Sequence, residues 1–218
     1  MLNSEFIPAA GKDSRRLMIV LHGLGDSSAG YQWLSAMMRL PWMNYLLVNA
    51  PDEYYGGYSW YDIAGDAEPG ARRSIQLVTK LLDTQRAQGF PTEQTVLFGF
   101  SQGCLMTIET GLRYPFRFAG LAGVSGHVLD PRQLVAELSP VAKEQRLLVT
   151  HGTHDPLIPC PAVREQIKQL QAAGLRIEWR EFAKAHTIDG ERELSVIREF
   201  VRAGFDGVDE HAVLTASR

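Results

Sequence analysis

The chain has 218 residues, 45% of them apolar and 22% charged, and a formal net charge of −3. This length suits one domain that buries roughly 70% of the surface its unfolded chain exposes, so folding requires neither metal nor disulfide. The mild acidity gives no sign of a nucleic-acid surface, so no nucleic-acid partner is expected, the pairs Arg15-Arg16 and Arg72-Arg73 reading as solvated charges. No apolar run approaches the ~20 residues of a membrane-spanning helix.

Met1 to Pro8 carry Glu5 and no basic stretch ahead of an apolar segment, so no secretory signal is expected. Leu17 to Leu21 is a continuous apolar run, the pattern of a parallel strand covered on both faces. Tyr45 to Val48 repeats it, and the stretch from Asp52 to Gly70, rich in Gly, Tyr and Asp, reads as a long loop. Ile75, Val78, Leu81 and Leu82 form the stripe of a helix that Gly89 and Pro91 end. Thr95 to Phe98 predicts a strand, followed by a helix over Cys104 to Arg113. Further strands are predicted at Gly120 to Val124 and Leu147 to Val149. Val163, Ile167 and Leu170 mark a helix stopped by Gly174; Arg176 to Phe182 alternates with period two, as on a sheet edge. Leu194, Ile197, Phe200 and Val201 mark a last helix stopped by Gly204, and a frayed tail is expected beyond it. Alternating strands and helices predict an α/β fold: a mostly parallel central sheet with helices on both faces. Residues 1–218 read as one domain with its core at about 17–204.

In open α/β sheets ligands bind beyond the carboxyl ends of the strands. Gly99-Phe100-Ser101-Gln102-Gly103 sits at such an exit and is a G-x-S-x-G nucleophile elbow between strand and helix. His22-Gly23-Leu24-Gly25-Asp26 follows the first run, His151 to Asp155 follows the Leu147 strand, and His186 follows the last strand. The order Ser101, Asp155, His186 is the Ser…Asp…His order of α/β-hydrolases. A serine hydroxyl needs a base, histidine side chains titrate near neutrality, and a carboxylate fixes the imidazole tautomer. Backbone N–H groups of Leu24 and Gln102 are the expected oxyanion donors, Gln102 at a helix N-terminus. Trp60, Tyr61, Leu157 and Ile158 lie in strand-exit loops and are expected as apolar walls for an acyl chain; for Trp60 and Tyr61, packing that fixes their loop is the equal alternative.

His22, His127, His151 and His154 are read as mostly structural and His211 as exposed. His151, His154, Asp155 and Cys160 show neither H-E-x-x-H nor paired C-x-x-C spacing, so no metal and no cofactor is expected. Cys104 and Cys160 are the only cysteines and read as free thiols of a cytoplasmic protein.

The segments His22 to Asp26, Ser59-Trp60-Tyr61-Asp62, Gly99 to Gly103, His151-Gly152…Asp155-Pro156…Ile158-Pro159 and His186 together resemble the acyl-protein thioesterase family, also called the phospholipase/carboxylesterase family of α/β-hydrolases. The resemblance implies a compact hydrolase without a separate cap domain, acting on carboxylic esters, thioesters or lysophospholipids. It implies Ser101, Asp155 and His186 as triad and Leu24 and Gln102 as oxyanion donors. The sequence departs from the family where members often carry glycine, at Cys104 and at Ala183. The expected partner is a small-molecule or lipid ester or thioester. A homodimer stays open, and a non-catalytic binding protein on the same fold is the alternative from another class.

Overall fold

The computed structural model describes residues 2–205; the expected tail and His211 lie outside them. Seven strands form one sheet: β1 (Ser4–Ile7), β2 (Leu17–Leu21), β3 (Asn44–Val48), β6 (Thr95–Phe100), β7 (Gly120–Val124), β8 (Leu147–Gly152) and β9 (Ile177–Phe182). Their order across it is β1-β3-β2-β6-β7-β8-β9. All neighbours pair in parallel except β1, which runs antiparallel to β3 at one edge. The alternating segment β9 forms the other edge.

The central strands are apolar throughout because both faces are covered. Leu17, Ile19, Leu21 and Leu97 point into one core with α2 (Ala67–Ala87), α3 (Gln102–Arg113) and α5 (Cys160–Ala172). Met18, Val20, Val96 and Phe98 point into the other, with α1 (Gln32–Met38) and α6 (Gly190–Ala203). A short α4 (Pro131–Ala136) packs against α5. Among the described residues no cap domain interrupts this order, and no helix is long and apolar enough to cross a membrane.

The Asp52–Gly70 segment differs from the expected loop. It contains a two-stranded hairpin, β4 (Asp52–Tyr54) and β5 (Gly57–Ser59), and the first turn of α2. Asp66 caps that helix by accepting from Glu68 N–H at 3.0 Å. Pro69 stands in the first turn, where its missing N–H has no intrahelical acceptor. The segment hid its order because its apolar period starts only beyond Gly70.

Candidate active site

Ser101 joins β6 to α3 with φ 55° and ψ −116°. A side chain in this left-handed region is strained, so neighbours must hold it there. Ser101 N–H donates to Val124 O at 2.9 Å, and Ser101 O accepts from Cys104 N–H at 3.0 Å. The flanking glycines are needed for space. A Cβ on Gly99 would collide with Gly103 O, and one on Gly103 with Leu21 O. The elbow is therefore tight enough to lift the serine hydroxyl off the strand end.

His186 lies in the loop between β9 and α6 and Asp155 in the loop between β8 and α5. His186 Nε2 stands 2.8 Å from Ser101 Oγ, and His186 Nδ1 stands 2.7 Å from Asp155 Oδ2. A carboxylate only accepts, so Nδ1 carries the proton and Nε2 faces the hydroxyl as a bare acceptor. Asp155 Oδ1 accepts from Leu157 N–H and Ile158 N–H, each at 2.9 Å. Burial alone would raise the Asp155 pKa. The Ile158 amide, His186 and the Leu157 amide outweigh it and hold the carboxyl below its ordinary value.

The Asp155 and His186 loops are joined through their backbones. Thr153 N–H donates to Phe182 O at 2.9 Å and His154 N–H to Lys184 O at 3.1 Å. Gly152 lets them meet, because a Cβ there would come within 2.6 Å of Ala185 O and nearer still to Lys184 O. His151 is fully buried, and its Nε2 lies 2.9 Å from Ile158 O. A carbonyl accepts, so this nitrogen carries the ring proton and braces the Asp155 loop.

The loop after β2 lies directly beside Ser101: a Cβ on Gly23 would sit 3.3 Å from Ser101 Cβ. His22 Nε2 accepts from Ala50 N–H at 3.1 Å, so its Nδ1 is the protonated nitrogen and donates to Gly23 O at 2.6 Å. That bond turns the Gly23 carbonyl toward the imidazole. Across the planar trans peptide, Leu24 N–H then points the opposite way. Sequence reasoning singled out Leu24 but not the histidine that orients its peptide.

Both departures from the family pattern are accommodated. Ala183 is exposed and is absent from the residues with positive φ. Cys104 fills space left by glycines: a Cβ on Gly126 would lie 2.6 Å from its Sγ, and one on Gly123 2.5 Å. Burial pushes the Cys104 thiol up to about 12, so it is neutral and no rival nucleophile.

The expected acyl walls divide. Trp60 has no exposed surface and Tyr61 is 4% exposed, so of their two readings burial favours packing over an open wall. Trp60 Nε1–H donates to His22 O at 2.9 Å, and its ring lies 5.6 Å from the His22 ring. Leu157 is 70% exposed beside Asp155, and Ile158 is half-buried against the core. The side chain of Gln102 does something the sequence did not disclose. Its Oε1 accepts from Trp60 N–H and its Nε2 donates to Tyr61 O, each at 2.9 Å. Among the described residues no group of three or more His, Cys, Asp and Glu side chains is arranged to hold a metal ion.

A family model described as Phospholipase/Carboxylesterase matches residues 2–204. Acyl-protein thioesterase 1 of Schizosaccharomyces pombe is 34% identical over 155 residues, 65% of this chain and 69% of its own. A probable carboxylesterase of Oryza sativa subsp. japonica is 27% identical, over 86% of this chain and 77% of its own. The crystal structure of Arabidopsis thaliana SOBER1 superposes with a TM-score of 0.81 at 24% identity, covering 87% of this chain and 99% of that one, a likeness of fold. The chain belongs to the phospholipase/carboxylesterase family and is an ester-cleaving hydrolase of the α/β-hydrolase fold.

Proposed function

We propose that the chain hydrolyses carboxylic esters and thioesters of acyl chains through an acyl-Ser101 intermediate. The observation that carries this reading is the continuous hydrogen-bonded line from Asp155 Oδ2 through His186 to Ser101 Oγ. His186 Nε2 takes the hydroxyl proton as Oγ attacks the acyl carbonyl. Asp155 keeps Nδ1 protonated and stabilises the imidazolium that forms. Leu24 N–H and Gln102 N–H bind the oxyanion, the latter from the N-terminus of α3. His186 then protonates the leaving alcohol or thiol, and water repeats the sequence to release the acid and free Ser101. No cofactor enters this cycle.

The exposed Leu157 supports an acyl chain leaving the site on the acid-loop side. We assign thioesters beside oxygen esters because the Schizosaccharomyces pombe relative is named for thioester cleavage. We assign the cytoplasm because Cys104 and Cys160 are both free and buried.

A fluorophosphonate probe tests the reading. It should label Ser101 alone, and Ser101→Ala should remove both the label and turnover of a short p-nitrophenyl ester in a protein that still folds. Label on another serine, or turnover kept by Ser101→Ala, overturns it. A chain-length series of esters and thioesters then ranks the physiological bond.

A further inference from the structure

The loop that carries His186 encloses a buried ion pair. Lys184 Nζ donates to Glu193 Oε1 at 2.6 Å and Oε2 at 2.7 Å, and to Thr187 O at 2.7 Å. Glu193 Oε2 also accepts from Asp189 N–H at 2.7 Å. The two side chains are 3% and 0% exposed.

Such a pair is a poor way to gain stability. Desolvating two charges costs as much as their attraction returns, and apolar residues of similar volume often serve as well or better. What apolar residues cannot supply is direction. The three Nζ protons are all used, one of them on a backbone carbonyl one residue after His186. The carboxylate holds the amide three residues after His186. On the other side, Lys184 O is fixed by His154 N–H of the acid loop. The backbone is therefore gripped before and after the imidazole by one charged unit rooted in α6.

We propose that Lys184 and Glu193 are positioning residues, whose buried ion pair fixes the His186 loop so that Nε2 meets Ser101 Oγ. The proposal rests on the catalytic reading of Ser101 and His186. Neither residue touches the reacting atoms; both act through the backbone at Thr187 and Asp189.

The test pairs Lys184→Met/Glu193→Leu with Glu193→Gln. The double variant removes both charges together, leaves no orphan charge and keeps an apolar filling, so its melting temperature should fall only by the loss of the Thr187 O and Asp189 N–H bonds and the protein should still fold. Its kcat for a short p-nitrophenyl ester should fall about 10- to 100-fold, as expected for a displaced catalytic group. KM should hold within about twofold, and fluorophosphonate labelling of Ser101 should slow with kcat. Glu193→Gln keeps an acceptor for Asp189 N–H and nearly the same volume but leaves the buried Lys184 ammonium facing a neutral amide; it should be less stable than the wild type and show a smaller loss of kcat, and its folded fraction decides the matter if the double variant does not fold. Wild-type kcat and labelling rate in either folded variant overturn the positioning role. Failure of the wild type to label at Ser101 overturns instead the catalytic reading beneath it.

Discussion

Gln102 grips the backbone on both sides of the Trp60–Tyr61 peptide, accepting from Trp60 N–H and donating to Tyr61 O. The residue whose amide is proposed as an oxyanion donor thus also ties the β5–α2 connection to the start of the elbow helix. Gln102→Ala separates the two roles, because the backbone N–H survives the substitution. It leaves the buried Trp60 N–H without its acceptor, which costs about 1–3 kcal/mol of stability, while Tyr61 O keeps its bond from Ser59 Oγ–H. Only a modest fall in kcat, about tenfold or less, should accompany it. Denaturation and esterase assays on the same preparation check this. A loss of the 10²–10³-fold size typical of a missing oxyanion donor would show that the side chain itself enters the chemistry.

Trp60 is the largest fully buried side chain among the described residues. Trp60→Ala should therefore destabilise by about 3–5 kcal/mol, the range for a deleted core aromatic. Its effect on acyl-chain preference should be small. A folded variant of unchanged stability but altered chain-length preference would return Trp60 to the groove wall. Leu157 is the contrasting control, since an exposed side chain can be shortened at little cost to stability.

Asp155 divides its oxygens between two tasks. Oδ1 holds the Leu157 and Ile158 amides, and Oδ2 faces His186. Asp155→Asn can keep the first task with its carbonyl oxygen, so the acid loop should persist. The amide nitrogen would then face Nδ1 and favour the wrong imidazole tautomer. kcat should fall by about 10⁴-fold with little change in KM. A fall of less than tenfold would implicate another acid. Asp189 is the remaining acidic residue of the histidine loop; it stands at the N-cap position of α6 without a side-chain cap bond, and its amide is bound to Glu193.

The strands and the meeting of Ser101, His186 and Asp155 were legible because each writes a local signature. Leu17 to Leu21 must be apolar on both faces, and Gly99 to Gly103 cannot make the elbow without small residues at Gly99 and Gly103. The edge strand β1 was not legible: Ser4 to Ile7 is short, half polar and paired on one side only. The β4–β5 hairpin escaped for a similar reason, with three-residue strands and Tyr55 at positive φ between them. The tasks of the Gln102 side chain, His22 and the Lys184–Glu193 pair depend on partners distant in the chain or across a loop. Nothing in their own neighbourhood marks them.

Buried histidines set the acid side of the stability curve. Burial is the leading cause that lowers the pKa values of His22, His127 and His151. For His151, the Ile158 carbonyl and Asp155 oppose this lowering without overcoming it. An unfolded histidine titrates near 6.5, above its folded value, so between the two the unfolded chain holds more protons. The stability from keeping these rings neutral is complete above about pH 6.5 and is lost as pH falls toward the folded values. One such histidine steepens the dependence by up to ~1.4 kcal/mol per pH unit. Asp155 acts in a separate window: its carboxyl is held low, so its contribution is present above about pH 4 and is lost below that. His151→Gln should be less stable than the wild type at pH 8, having lost a fitted buried ring, yet show a shallower decline between pH 6.5 and 5. Denaturant titrations at half-unit pH steps would show the two curves converging toward acid. Parallel curves would mean that the buried ring of His151 does not resist protonation in the folded protein.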